Sequence, residues 1–234
     1  MPRRTRVAIP GAIFHVINRG SRKGRLFETE ADYLTFERLL RQTIDRFDVS
    51  VFAYCLMPNH WHLVASPAPE ATLSRAMQWL TGTHARRWHL RRGTTGEGAV
   101  YQGRFKAIPI QTDWRFLWVC RYVERNACRA GLVDRAEAWR WSSMWQREHH
   151  TEVPWLRAWP VPRPVDWLER VNRPETASEL DAFRTLVRRN LPFGTSEWQE
   201  RLGPLARVAR KPQRSSKATN RGRKSARSSK KPAA

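Results

Sequence analysis

Apolar positions along the first half of the chain change rhythm several times, and each change marks an element. From Ala12 to Gly20, Ile13, His15 and Ile17 alternate with Phe14 and Val16, the period of two that belongs to a strand. From Glu28 to Phe47 the apolar residues Tyr33, Phe36, Leu39, Leu40, Ile44 and Phe47 recur at steps of three and four, which predicts an amphipathic helix. Val49 to Met57 is rich in β-formers, Pro58-Asn59 marks a turn, and His60 to Ser66 reads as a third strand, so the two strands should form a hairpin. Leu73, Met77 and Leu80 open a second helix that carries Arg75, Arg86 and Arg87 on its other face and ends before the loop from Gly93 to Gly98. Phe105 to Ile110 reads as a fourth strand. A helix capped by Thr112 or Asp113 should then run to about Ala130, with Gly131 as its stop. The order strand, helix, strand, strand, helix, strand predicts an α+β fold of the split βαβ, ferredoxin-like kind, an antiparallel sheet covered by helices on one face.

Past Trp141 the rhythm weakens. Pro154, Pro160, Pro162 and Pro164 separate Trp155, Trp159 and Trp167, which predicts an ordered but irregular wrap, with short helices near Ala177 to Arg189 and Ser196 to Leu202. From Arg207 on, Lys, Arg, Ser and Pro replace almost all apolar residues, so that stretch cannot bury enough to offset its ordering entropy and is expected to be disordered. The expected organisation is therefore a main domain over 1–150, a Trp/Pro-rich extension over 151–206 and a basic tail over 207–234.

Charge narrows the partner. The chain has 43 Lys and Arg against 21 Asp and Glu, a net +22. Eleven of these basic residues, with no acidic one, lie from Arg207 to Ala234, so the body stays basic without the tail. Arg dominates there, and its guanidinium fork matches phosphate oxygens, which favours nucleic acid over acidic protein or membrane. No run approaches the length of a bilayer span, and the arginines near Met1 precede no apolar core of a signal peptide. Cys55, Cys120 and Cys128 form no CxxC pair, so neither a disulfide framework nor a zinc ribbon is expected, and a reducing cytoplasm fits.

Two short patterns carry chemistry. His60 and His62 stand two apart on a strand, hence on one face, and can place two imidazole nitrogens on one ion; on spacing alone a polar strand face is the better reading. Tyr122 and Asn126 stand four apart on the helix, stacked on one side beside the apolar stripe of Phe116, Cys120, Val123, Ala127 and Ala130. Such a helix could present an amide oxygen as a third ligand with a phenol one turn earlier, although a half-buried tyrosine hydrogen-bonded to water is the plainer reading. His15 reads as a structural histidine, while His84 and His89 on the Arg-rich helix read as surface or phosphate contacts. Trp61, Trp79 and Trp88 fit core packing and, less directly, base stacking.

The sequence resembles the single-tyrosine HUH transposases and, within them, the REP-associated tyrosine transposases of bacteria. The resemblance rests on the run from Val16 to Gly20, Leu56-Met57-Pro58-Asn59-His60-Trp61-His62-Leu63, Gln102-Gly103-Arg104-Phe105-Lys106, the run from Tyr122 to Asn126, the run from Arg129 to Val133, Trp141-Ser142-Ser143, and Phe193-Gly194 followed by Trp198. It implies an HUH endonuclease core in which His60 and His62, with Asn126, bind a divalent ion, Mg²⁺ or Mn²⁺, and Tyr122 is the nucleophile. The implied activity is nicking and rejoining of single-stranded or hairpin DNA through a phosphotyrosine intermediate, in transposition and without ATP. A free phenol has a pKa near 10, so attack needs help from the ion or from nearby arginines. Arg19, Arg104, Lys106, Arg125 and Arg129 lie in the resembling segments and, with Arg121 beside Tyr122, are the expected DNA contacts. Ala127 stands where the family usually has proline, which lets the helix continue through Asn126. The expected setting is the cytoplasm, on the nucleoid, with no membrane partner and a monomer favoured. A non-cleaving hairpin-binding module and a hydrolase that uses water as its nucleophile remain the competing readings.

Overall fold

The structure, a computed structural model, describes residues 9, 11–69, 71–150 and 152–208, with side chains described as far as residue 202. Four strands, β1 (Ile13–Arg19), β2 (Val49–Met57), β3 (His60–Pro67) and β4 (Lys106–Ile110), form one sheet in the order β2-β3-β1-β4. Each neighbouring pair is antiparallel. Helices α1 (Glu30–Phe47) and α2 (Leu73–Arg92) make the two crossovers. This is the expected α+β, split βαβ arrangement. The basic segment from residue 209 on, like residues 1–8, lies outside the described residues.

The sheet is covered on both faces, not one. Phe14, Val16, Tyr54, Leu56, Trp61 and Leu63 turn toward α1 and α2, where they meet Phe36, Leu39, Leu40, Met77 and Leu80. The alternate residues Ile13, Cys55, Met57, Val64 and Ile110 turn the other way, onto α3 (Trp114–Glu124), α6 (Trp167–Asn172) and α7 (Ala177–Arg189), with Phe116, Val119, Val123, Trp167 and Phe183 between them. Strands whose residues are almost all buried need cover on both sides, and each fully buried large apolar side chain contributes about 1.5–3 kcal/mol. The second cover is led by α3, packed on β2 and β3, and the segment that looked irregular in sequence adds Trp167, Val171 and Phe183 to the same cluster.

That segment also closes the sheet's two edges. Along β2, Leu56 N donates to Trp141 O, Arg157 N donates to Val51 O, and the indoles of Trp139 and Trp159 donate to Leu56 O and Phe52 O. Along β4, Phe193 N donates to Pro109 O and Gln111 N to Phe193 O. An open edge presents a row of unpaired N–H and C=O groups; here backbone and tryptophan N–H groups occupy much of it.

Helix ends follow local chemistry. Asp32 accepts from Thr29 N and Glu28 N at the start of α1 and pairs with Arg92 at 3.1 Å, tying α1 to the end of α2. Gly93, in the left-handed region at φ 64°, ends α2. Gly20 needs its missing side chain for another reason: a Cβ there would collide with Gly24 O, while Gly20 N donates to Asn59 O at 2.8 Å and holds the end of β1 against the β2–β3 turn. His84, expected at the surface, is buried beneath Phe27 and Phe36, with Nδ1 2.8 Å from the Tyr101 hydroxyl. Trp61 is fully buried too and is closed to base stacking.

The tyrosine helix differs from its expected form. In place of one helix to Ala130 there are two pieces, α3 and α4 (Asn126–Arg129), separated by Arg125 at φ −84° and ψ 2°. Proline is not required for the break, because Arg125 leaves helical geometry with its guanidinium held toward Glu175 at 3.6 Å. The end is as expected: Gly131 N bonds Cys128 O and Leu132 N bonds Ala127 O, the paired contacts of a Schellman stop. Two elements were not expected, α5 (Ser143–His149) and α6; α5 is capped by the Ser142 hydroxyl accepting from Trp145 N. The last helix, α8, spans Ser196–Val208.

Candidate active site

The face of β3 that looks toward α3 carries His60 and His62, and the register places His62 opposite Ile17 and His60 opposite Arg19. Tyr122 and Asn126 approach from above. Together with Arg129, Ala130 and Arg184 these residues line one cleft of about 370 Å³. The four residues expected to carry the chemistry, His60, His62, Tyr122 and Asn126, therefore share a site.

Neighbours set which ring nitrogens face it. Asn59 donates its amide N–H to Lys23 O at 3.4 Å, and its Oδ1 lies 2.7 Å from His60 Nδ1. A carboxamide oxygen only accepts, so His60 Nδ1 carries the proton and Nε2 keeps its lone pair. His62 Nδ1 lies 2.7 Å from His15 Nε2, with the two rings stacked 2° from parallel, which leaves His62 Nε2 as its outward nitrogen. Burial holds His60 down to about 4, helped by Arg19 and Arg129, and holds His62 well below the usual histidine value, helped by His60, His15 and Arg129. At neutral pH both rings are neutral; His60 Nε2 keeps its lone pair, and His62 Nε2 does so when His62 Nδ1 carries the proton shared with His15. His15, sequence-read as structural, is fully buried and acts on the site through His62.

These donors fit a divalent cation. Among the described residues no three His, Cys, Asp or Glu cluster in metal-binding fashion; Asn126, the further ligand that the resemblance implies, lines the same cleft, and its Nδ2 is buried without a partner. Three neutral ligands would leave such an ion its full charge.

Tyr122 is 8% exposed and held from several sides. Trp118 stacks on it at 5.6 Å, Phe183 meets it at 4.7 Å, and Arg129 Cζ lies 4.0 Å from its ring centre. Arg129 in turn donates to Tyr122 O at 2.7 Å and pairs with Glu175 at 2.9 Å. The Tyr122 hydroxyl has no hydrogen bond among the described residues and is not one of their buried orphan atoms, so it opens to the cleft.

The expected DNA contacts scatter. Arg19 and Arg129 line the cleft. Arg121 faces a second groove with Trp114, Leu117, Trp118, Trp167, Arg170 and Arg173, and donates to Arg173 O at 2.6 Å. Arg125 lies against Glu175. Lys106 donates to Val187 O and Arg188 O at the end of α7. Arg104 is exposed on the loop before β4.

Sequence reasoning missed Asn59 and Glu124 as supports, and Arg184 and Glu175 as neighbours of the site. The first two lie inside motifs already singled out. Glu124 is fully buried, accepting from the Ser143 hydroxyl at 2.7 Å and the Trp167 indole at 2.8 Å. Burial pushes its carboxyl up, against these two bonds and Arg147. Arg184 and Glu175 gave no signal, being charged residues in a segment read only for its periodicity.

A paired-histidine strand facing a helix tyrosine across an antiparallel sheet is the frame into which the comparisons fall. Residues 9–126 match the family described as Transposase IS200 like. The chain belongs to that family, and its role is in DNA processing for transposition. Among solved structures, a REP-associated tyrosine transposase bound to a REP hairpin aligns with TM-score 0.53 and 18% identity over 68% of this chain and 92% of its own. A putative transposase from Deinococcus radiodurans aligns with TM-score 0.38 and 16% identity over 53% of this chain and 96% of its own. A search of curated proteins gives no match. Among the described residues no helix is long and apolar enough to cross a membrane.

Proposed function

We propose that this protein nicks and rejoins single-stranded DNA, at hairpins of the REP kind, with Tyr122 as nucleophile and His60, His62 and Asn126 as ligands of Mg²⁺ or Mn²⁺. The observation that carries this reading is the shared cleft of the four side chains. In the proposed step the Tyr122 oxygen forms a bond to phosphorus and the bond to the 3′ oxygen breaks. The phenolic proton passes to water, and the leaving oxygen takes a proton up as a 3′ hydroxyl. The stored phosphotyrosine ester keeps the bond energy, so a second 3′ hydroxyl can displace the tyrosine and rejoin strands. A bound divalent ion would offset the phosphodiester charge and the extra charge of its transition state.

The chain's own residues supply the geometry. Asn59 and His15 orient the two imidazoles, and Trp118, Phe183 and Arg129 hold the phenol. The single-strand preference rests on the resemblance, and the hairpin on the partner of the structurally similar transposase. Protein incubated with Mg²⁺ or Mn²⁺ and labelled hairpin DNA is expected to give an adduct that survives denaturation, and Tyr122→Phe to give none. Cleavage persisting in Tyr122→Phe would show water to be the nucleophile. Tight binding by the parent without any adduct would leave a binding module.

A further inference from the structure

The family match ends at Asn126, the cleft does not. Its outer wall is Arg184, on α7, 58 positions further along the chain. α7 is fixed where it crosses the site. Phe183 packs at 4.7 Å from Tyr122 and 5.5 Å from His15, Glu175 just before the helix pairs with Arg129, and Lys106 ties its last turn. The helix therefore places Arg184 at the cleft.

Three guanidiniums line the cleft, and they are not equivalent. Arg129 is already spent: one nitrogen pairs with Glu175, another donates to Tyr122 O, and its plane covers the Tyr122 ring. Burial lowers its basicity first, Tyr122 and Glu175 oppose that, and the Arg184 charge adds to the lowering, which puts the two guanidiniums close enough to feel each other. Arg184 makes no hydrogen bond or ion pair among the described residues and is exposed. A charged fork with open donors on the wall of a cleft that also holds a phenol is suited to a phosphodiester.

We infer that Arg184 binds a backbone phosphate of the DNA strand lying in the Tyr122 cleft, so that the C-terminal extension supplies part of the substrate site. The inference rests on the reading of this cleft as a phosphodiester site. A backbone contact reads no sequence, so an oligothymidylate single strand serves as the probe. Binding is measured on the full chain in a Tyr122→Phe background across a salt series. Arg184→Ala is expected to weaken binding about tenfold and to flatten the salt slope by about 0.7, the value for one lost single-strand phosphate contact. Arg184→Lys, which keeps the charge but not the fork, should restore the slope and only part of the affinity. Arg188→Ala, one turn along the same helix but outside the cleft, should do neither. Unchanged affinity and slope in a folded Arg184→Ala protein, or an equal loss in Arg188→Ala, would overturn the assignment. Because this readout needs no cleavage, a parent protein that forms no adduct would count against the proposed activity and leave the Arg184 result standing.

Discussion

At the scale of single residues, the site is decided by which nitrogen carries a proton. Asn59 settles that for His60. For His62 two arrangements are open: either His62 Nδ1–H donates to His15, or His15 donates to His62. Only the first leaves His62 Nε2 free for a metal, and it places the His15 proton on Nδ1, an atom buried without a partner among the described residues. Metal binding would thus select a tautomer that the empty protein has reason to avoid. Replacing the support of a ligating histidine typically lowers metal affinity 10- to 100-fold. Titration of Mn²⁺ into His15→Phe by calorimetry should show a loss in that range, and His15→Gln, which can still accept from Nδ1–H, should recover part of it. Equal affinity in all three proteins would mean that His15 only fills space.

At the scale of elements, three helices meet on one buried carboxylate. Glu124 ends α3, Ser143 begins α5 and Trp167 begins α6, and the Ser143 hydroxyl also accepts from Tyr54 N of β2 at 2.9 Å. Glu124→Ala leaves the buried Trp167 indole unmet and the Ser143 hydroxyl with only Tyr54 O at 3.3 Å, and should cost about 1–3 kcal/mol in urea unfolding. Glu124→Gln, with one oxygen left to accept, should cost roughly half. A loss under about 0.5 kcal/mol for the alanine variant would show that the helices dock by apolar contact alone. This junction also marks the limit of what the sequence made legible. α1, α2 and α7 announced themselves because each buries one face and repeats with its own period, and β1 to β4 by alternation or by runs of β-formers between turns. The pairing of His60 with His62 was visible because residues two apart on one strand share a face. The contact between Glu124 and Ser143 was not, since it joins residues far apart in sequence through polar atoms that have no periodicity. The same holds for the cover on the sheet's second face: Trp159, Trp167 and Phe183 are spaced by prolines and short turns, and only their tertiary partners reveal what they pack on.

At the scale of the whole molecule, charge and cover are divided between different parts of the chain. The folded body holds a cleft with few uncommitted cations, while residues 209–234 concentrate positive charge with no acidic residue among them. Removing 209–234 should weaken DNA binding mainly at low salt and flatten its salt dependence, leaving adduct formation at saturating DNA intact. An unchanged slope would place all productive contacts on the body. The cover has a different implication. Both margins of the sheet are finished by backbone that arrives late, Trp141 and Arg157 on one side and Phe193 on the other. A fragment stopping after α4 would contain every residue of the proposed chemistry except Arg184, yet its two outer strands would be left as sticky borders open to strangers. The smallest piece of this chain that keeps both borders paired must therefore reach past Phe193, however early its reactive groups are complete.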